Sequence, residues 1–94
     1  MRMIKSFRHK GLKRLFEKDD ARGISSDHQN RIENILFLLD TASDVKALDL
    51  PGYALHPLKG DLKGFWSVKV SGNWRIVFRF EAGEAYDVDL TDYH

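Results

Sequence analysis

Apolar positions follow two different periods along the chain. In the first half they recur at helical spacing. Leu12, Leu15 and Phe16 mark a helix over Arg8 to Lys18, weakened slightly by Gly11. Ile32, Ile35, Leu36 and Leu39 form the buried stripe of a second. Ser26, with Gln29 three residues on, reads as a capping box that starts this second helix, and it should end near Thr41 to Ser43. Gly23 to Ser25 is the loop between them. Ahead of both, Met3 to Phe7 reads as a short opening strand.

In the second half the period falls to two. Tyr53 to Leu58 reads as a strand confined to a sheet edge by Pro57. Phe65 to Val70 is a second strand, and Ser71-Gly72-Asn73 is a turn rich in residues that accept positive φ. Trp74 to Phe80 alternates most clearly: Trp74, Ile76, Phe78 and Phe80 share one face, Arg75, Val77 and Arg79 the other. Ala82-Gly83 turns the chain into a last strand marked by Tyr86, Val88 and Leu90. Turns this short favour antiparallel hairpins. The expected fold is α+β: two N-terminal helices packed on one face of a twisted antiparallel sheet of four to five strands, the other face free to bind. With 94 residues and no linker or repeat, residues 1–94 are read as one domain.

Composition narrows the class. The chain has no cysteine, so disulfides and cysteine-based zinc sites are excluded. It has no apolar run long enough to span a bilayer and no signal-peptide core, and a cytoplasmic location is expected. Met1-Arg2 reads as an extended or alternative start. Net charge is only +1, but it is unevenly spread. Arg2, Lys5, Arg8, Lys10, Lys13, Arg14, Lys18 and Arg22 crowd the first third, opposed by Glu17, Asp19 and Asp20. After Phe80 the charge is carried by Glu81, Glu84, Asp87, Asp89 and Asp92. A basic first third either attracts a polyanion such as RNA or is a solvated helix face. On the first view Lys5, Arg8, Lys10, Lys13, Arg14 and Arg79 are candidate RNA or ribosome contacts.

The candidate chemistry sits in three places. Asp92-Tyr93-His94 sets a carboxylate, a phenol and an imidazole on consecutive residues. His56 adds a second imidazole, near a strand end, and Lys59 a cation on the following turn. Arg75 offers a planar fork from a strand; it either grips a phosphate or pairs with Asp87 or Asp89, and Arg79 points the same way. These are the groups needed to cut a phosphodiester without a metal: proton donors and acceptors plus cations for the crowded phosphate. A zinc site from His56, Asp92 and His94 is the rival chemistry, but no ligand spacing supports it. Alternation sets Asp92 and His94 on the side of Val88 and Leu90, which is read as core. Either the strand bulges near Thr91 or it runs past the helices. His9 and His28 read as surface residues, and Tyr53 or Phe65 as the aromatic best placed to stack on a base.

In order, Ile4-Lys5-Ser6-Phe7, Leu55-His56-Pro57-Leu58-Lys59-Gly60, Trp66-Ser67-Val68, Asn73-Trp74-Arg75-Ile76 and Asp92-Tyr93-His94 resemble the HigB-type toxins of the RelE superfamily, over nearly the whole chain. The resemblance implies a RelE-like microbial-RNase fold. It implies a type II toxin–antitoxin toxin that cleaves mRNA in the ribosomal A site by 2′-hydroxyl attack, with no cofactor or metal. It further implies a HigA-type helix-turn-helix antitoxin as partner, with operator DNA reached only through that complex. On this view His56, Asp92, Tyr93 and His94 are catalytic, and Lys59 and Arg75 hold phosphate. The alternatives are a ParE-like gyrase inhibitor of the same fold and an inactive operon co-regulator.

Overall fold

A computed structural model describes residues 3–92. Helix α1 spans Lys10–Lys18 and helix α2 Gln29–Thr41. The strands are β1 (His56–Pro57), β2 (Phe65–Ser71), β3 (Trp74–Glu81) and β4 (Glu84–Asp92). They form one antiparallel sheet in the order β1-β2-β3-β4. Short 3-10 turns lie at Val45–Leu48 and Gly60–Leu62. No helix among the described residues is long and apolar enough to cross a membrane.

Both helices lie on one side of the sheet. Leu12 and Leu15 of α1 and Ile32, Ile35, Leu36 and Leu39 of α2 pack with Val68, Val70, Ile76, Phe78, Ala85 and Val88 into one core. Burial of the larger of these side chains, Ala85 excepted, contributes about 1.5–3 kcal/mol each relative to exposure. Phe78 is the largest fully buried side chain, with Phe80 edge-on against it.

Three expectations are corrected. The Met3–Phe7 segment pairs with β4 only through isolated parallel bridges at Ile4–Ala85 and Phe7–Val88. It is held there because Asp40 of α2 accepts the Met3 N–H at 2.8 Å and Ala85 donates to the Met3 carbonyl. The capping box does not form. Residues 26–28 are a turn, His28 is the N-cap without a side-chain bond, and the Gln29 amide donates to Glu33 instead. The Tyr53–Leu58 strand shrinks to His56–Pro57, because Ala54 takes a left-handed φ of 49° and interrupts the extended chain.

The break in the β4 alternation lies at Asp87, not Thr91. The register moves from Val77–Asp89 to Arg79–Tyr86, leaving one extra residue in β4. Asp87 absorbs it with φ 54°, and its N–H is held by the Ser6 hydroxyl at 2.8 Å. The bulge turns Tyr86 to the open face while Val88 stays in the core. Asp92 follows Leu90 on the helix side, at the strand end, opposite Trp74.

Candidate active site

Strand pairing orders the open face of the sheet into rows. Phe65, Arg79 and Tyr86 make one row across β2, β3 and β4. His56, Ser67, Val77 and Asp89 make the next, now including β1. Lys69, Arg75 and Thr91 make the third. Partners across a ladder share a face, so His56 and Arg75 emerge on the same side, two strands and one row apart. Strand spacings of about 4.8 Å put their backbones about 12 Å from one another, within reach of a common phosphate for two long side chains. Ser67 and Val77 are buried here although both helices lie on the other side, so the face is a trough with a closed floor.

Arg75 is half-buried in this trough, and its Nε and Nη1 have no hydrogen-bond partner. Ser67 Oγ and Thr91 Oγ1 are also buried and unpaired, on the same face. Buried donors normally find acceptors, and an unmet guanidinium is more costly than an unmet hydroxyl. The group is charged, fixed by a strand and short of acceptors, which suits it to an anion. Arg79, two residues on, is engaged. It pairs with Glu81 at 2.8 Å and Asp87 at 3.7 Å and lies over the Tyr86 ring. Glu81 raises its pKa further. The pairing with Asp87 that the sequence left open for Arg75 is thus made by Arg79.

His56 is exposed, and its Nδ1 lies 3.1 Å from the Ala54 carbonyl oxygen. A carbonyl only accepts, so the bond assigns the proton to Nδ1 and leaves the Nε2 lone pair outward. The left-handed turn at Ala54 brings its carbonyl back to the ring. Lys59 is exposed just past β1, where Gly60 takes a φ of 68° to begin the next turn. Asp92 belongs to the other side of the sheet, opposite Trp74, so the pairing does not bring it beside His56 or Arg75. The candidate residues Tyr93 and His94 lie outside the described residues.

The remaining cations divide. Lys10, Lys13 and Arg14 are exposed on α1, and Arg8 sits over the Phe65 ring at 5.7 Å. Lys5 pairs with Glu84 at 3.1 Å, which together with Tyr86 lowers the carboxyl pKa of Glu84. Tyr53 is buried beneath Arg31, whose guanidinium lies 3.9 Å from the ring centre, so its ring is covered. His9 and His28, read as surface residues, are half-buried and carry contacts. His9 caps α1 by accepting the Leu12 N–H, and the ring of His28 lies 6.0 Å from that of Trp74. Ser67 and Thr91 were missed as site residues. The available signal was parity: Ser67 sits an even step from Phe65 and Lys69, and Thr91 an even step from Asp89 on its side of the bulge.

A family model described as the RelE-like toxin of type II toxin–antitoxin system HigB matches residues 5–94. The chain belongs to this HigB family of toxins. It is 50% identical over 92 residues to Endoribonuclease HigB of Proteus vulgaris, covering 98% of this chain and 100% of that one. It is 32% identical over 90 residues to Toxin HigB-1 of Vibrio cholerae, covering 94% of this chain and 95% of that one. Among solved structures, a YafQ variant from E. coli aligns with a TM-score of 0.60 at 18% identity, over 98% of this chain and 93% of that one. A conserved hypothetical protein from Helicobacter pylori aligns with a TM-score of 0.52 at 19% identity, over 98% and 94%. These two likenesses concern the fold, which in this HigB-family toxin is the expected α+β arrangement of helices on an antiparallel sheet.

Proposed function

We propose that this toxin is an endoribonuclease that cuts mRNA on the open face of its sheet. The observation that carries the reading is Arg75, a strand-held guanidinium with two buried, unmet nitrogens on the face that also presents His56. The family and the name of the Proteus relative supply the chemistry such a site would perform.

The scissile phosphate sits against Arg75, with Lys59 reaching it from the neighbouring turn. The mRNA 2′-oxygen loses its proton to a base and attacks the adjacent phosphorus. The P–O5′ bond breaks, and an acid protonates the departing 5′-oxygen. The products are a 2′,3′-cyclic phosphate and a 5′-hydroxyl. His56 Nε2 is one proton-transfer group and His94 the other. With the two imidazoles as base and acid, Asp92 orients His94, and Tyr93 hydrogen-bonds the leaving oxygen or stacks on a base. Arg75 and Lys59 hold the charge that grows on the phosphate, each worth about 2.7–4 kcal/mol at the transition state.

The open face offers few groups that read base edges, so the choice of codon comes chiefly from its placement in the ribosomal A site. Lys10, Lys13 and Arg14 on α1 hold ribosomal RNA phosphates, and ribosome binding weakens steeply with salt. A HigA-type antitoxin neutralises the toxin in the cytoplasm, where translation takes place. Primer extension on a defined mRNA, with and without stalled ribosomes, tests the reading. Cuts confined to the ribosome-bound codon and lost in Arg75→Ala support it. Intact mRNA in every lane, from folded protein, overturns it.

A further inference from the structure

The molecule has a second polar recess, on the side of the sheet away from Arg75. It lies on the helix side, where the start of α1 meets the Trp74–Leu90 end of the sheet, and encloses about 290 Å³. That is close to the lower limit of small-molecule sites, about 300 Å³. His9, Gly23, Ser25, His28, Trp74 and Leu90 line it. Trp74 is exposed where its strand-mates Ile76 and Phe78 are fully buried, so the recess keeps an indole accessible on an otherwise closed face.

Two features show how the recess is shaped. Gly11 and Gly23 pack against each other, and a Cβ on Gly11 would lie 2.8 Å from the His9 ring and 2.9 Å from the Gly23 carbonyl. Only glycine at position 11 leaves room for the imidazole in its capping position. The Nδ1 of His9 accepts from the Leu12 N–H at 3.1 Å, so in the neutral ring Nε2 carries the proton. No acceptor among the described residues is bonded to it. The recess therefore joins an aromatic wall of Trp74 and His28, an apolar floor at Leu90, and polar groups from His9 and Ser25. A flat ring with in-plane acceptors fits that combination, and bases stack on aromatic side chains whatever their sequence.

We propose that this cleft is a nucleobase subsite, taking the base of a nucleotide beside the scissile phosphate and favouring purines, which offer the larger face for stacking on the indole. This rests on the nuclease reading for the identity of the strand. The position suits it: Trp74 directly precedes Arg75 on β3 but faces the opposite side, so a strand bent around that end of the sheet has its phosphate on Arg75 and a flanking base in the cleft. The cleft is separate from the open-face aromatics, and it assigns a binding role to His9, His28 and Trp74.

The test uses the indole N–H resonances of the toxin, since Trp66 and Trp74 are the only tryptophans. Guanosine and adenosine at millimolar concentration should shift the Trp74 signal saturably and leave Trp66 still, with uridine and cytidine weaker. Gly11→Ala, or His28→Ala should the first variant fail to fold, should weaken guanosine binding about tenfold. Trp74→Ala should redistribute cut positions on a defined mRNA, and Trp74→Phe should restore the wild-type pattern. A Trp74 signal unmoved by nucleosides, or moved equally by ribose 5-phosphate, overturns the subsite. Nucleoside binding by a protein that cuts no RNA even on ribosomes would leave the subsite standing and remove the nuclease reading; cutting without nucleoside binding would do the reverse.

Discussion

Arg75 and Arg79 leave the same strand on the same face, two residues apart, and have opposite surroundings. Arg79 sits among Glu81, Asp87 and Tyr86, with its charge compensated. Arg75 sits among Lys69, Ser67 and Thr91, with two nitrogens unmet. Alternation alone makes them equivalent. What separates them is Glu81, 2.8 Å from Arg79 on the same strand, together with the Asp87 bulge, which swings Tyr86 onto the face and brings a second carboxylate to 3.7 Å. A compensated arginine serves the fold, and an uncompensated one held in place is available to a ligand.

The sharpest break of this comparison is a set of three substitutions. Arg75→Ala should lower the cleavage rate by about 10²–10³-fold, the cost of losing one transition-state donor. Its melting temperature should hold or rise, because a buried group with unmet donors is removed. Arg75→Lys should recover only part of the rate, since an ammonium lacks the planar fork. Arg79→Ala should do the opposite, lowering the melting temperature while changing cleavage by a small factor. Single-turnover cleavage and thermal melts on the three proteins check this. Equal kinetic loss in both alanine variants would remove the distinction.

His56→Gln extends the contrast to the neighbouring row. A glutamine keeps a polar group near the Ala54 carbonyl but transfers no proton. Cleavage should fall about 10²-fold, with stability unchanged because the side chain is exposed. A rate profile in which one limb vanishes in the variant would identify His56 as a titrating participant. An unaltered profile would leave it a bystander.

How much of this was legible follows from which interactions are local. The face of Arg75, Val77 and Arg79 was legible because a strand alternates whatever it packs against. Arg75 as a phosphate candidate followed from residue type and parity together. The bulge was not legible, because Asp87 is an ordinary polar residue in an alternating stretch, and its left-handed backbone depends on Ser6, distant in sequence. The Ser26–Gln29 capping pattern misled for the converse reason: the motif is local, but the chain still turns through Ser25 to His28 before the helix begins. His9 and His28 were read as surface because a ring's role as cap or stacking partner is set by what folds against it. Tyr93 and His94, which carried much of the candidate chemistry, lie outside the described residues, and Asp92 sits across the sheet from the groups it was grouped with.

The bulge itself is open to test. Asp87→Val places a β-branched side chain where φ is 54° and deletes the hydrogen bond that the Ser6 hydroxyl donates to the Asp87 carboxylate. The strain and the lost bond together should cost about 2 kcal/mol. Asp87→Gly keeps the backbone free and should be milder. If the backbone of the bulge, rather than the Asp87 carboxylate, is what keeps the face in order, the valine variant should lose cleavage beyond its loss of stability, and the glycine variant should not. Denaturant unfolding beside cleavage at a temperature where both are folded separates the two effects.

The smallest effect concerns the loop that carries Gly23 to the cleft. Arg22 binds Asp20 through both carboxylate oxygens and its backbone N–H, which lowers the Asp20 pKa from 3.8 to about 2. A depressed carboxylate stabilises the fold above its unfolded pKa and loses that contribution as pH falls through the folded one. The stability difference between wild type and Arg22→Ala should therefore be constant at neutral pH, shrink below the ordinary aspartate range and vanish only below the folded pKa of about 2. Urea midpoints of the two proteins across that window check the sign. A gap that instead widens on acidification would mean that the clamp is not what holds the loop, and that the wall of the cleft depends on the Gly11–Gly23 contact alone.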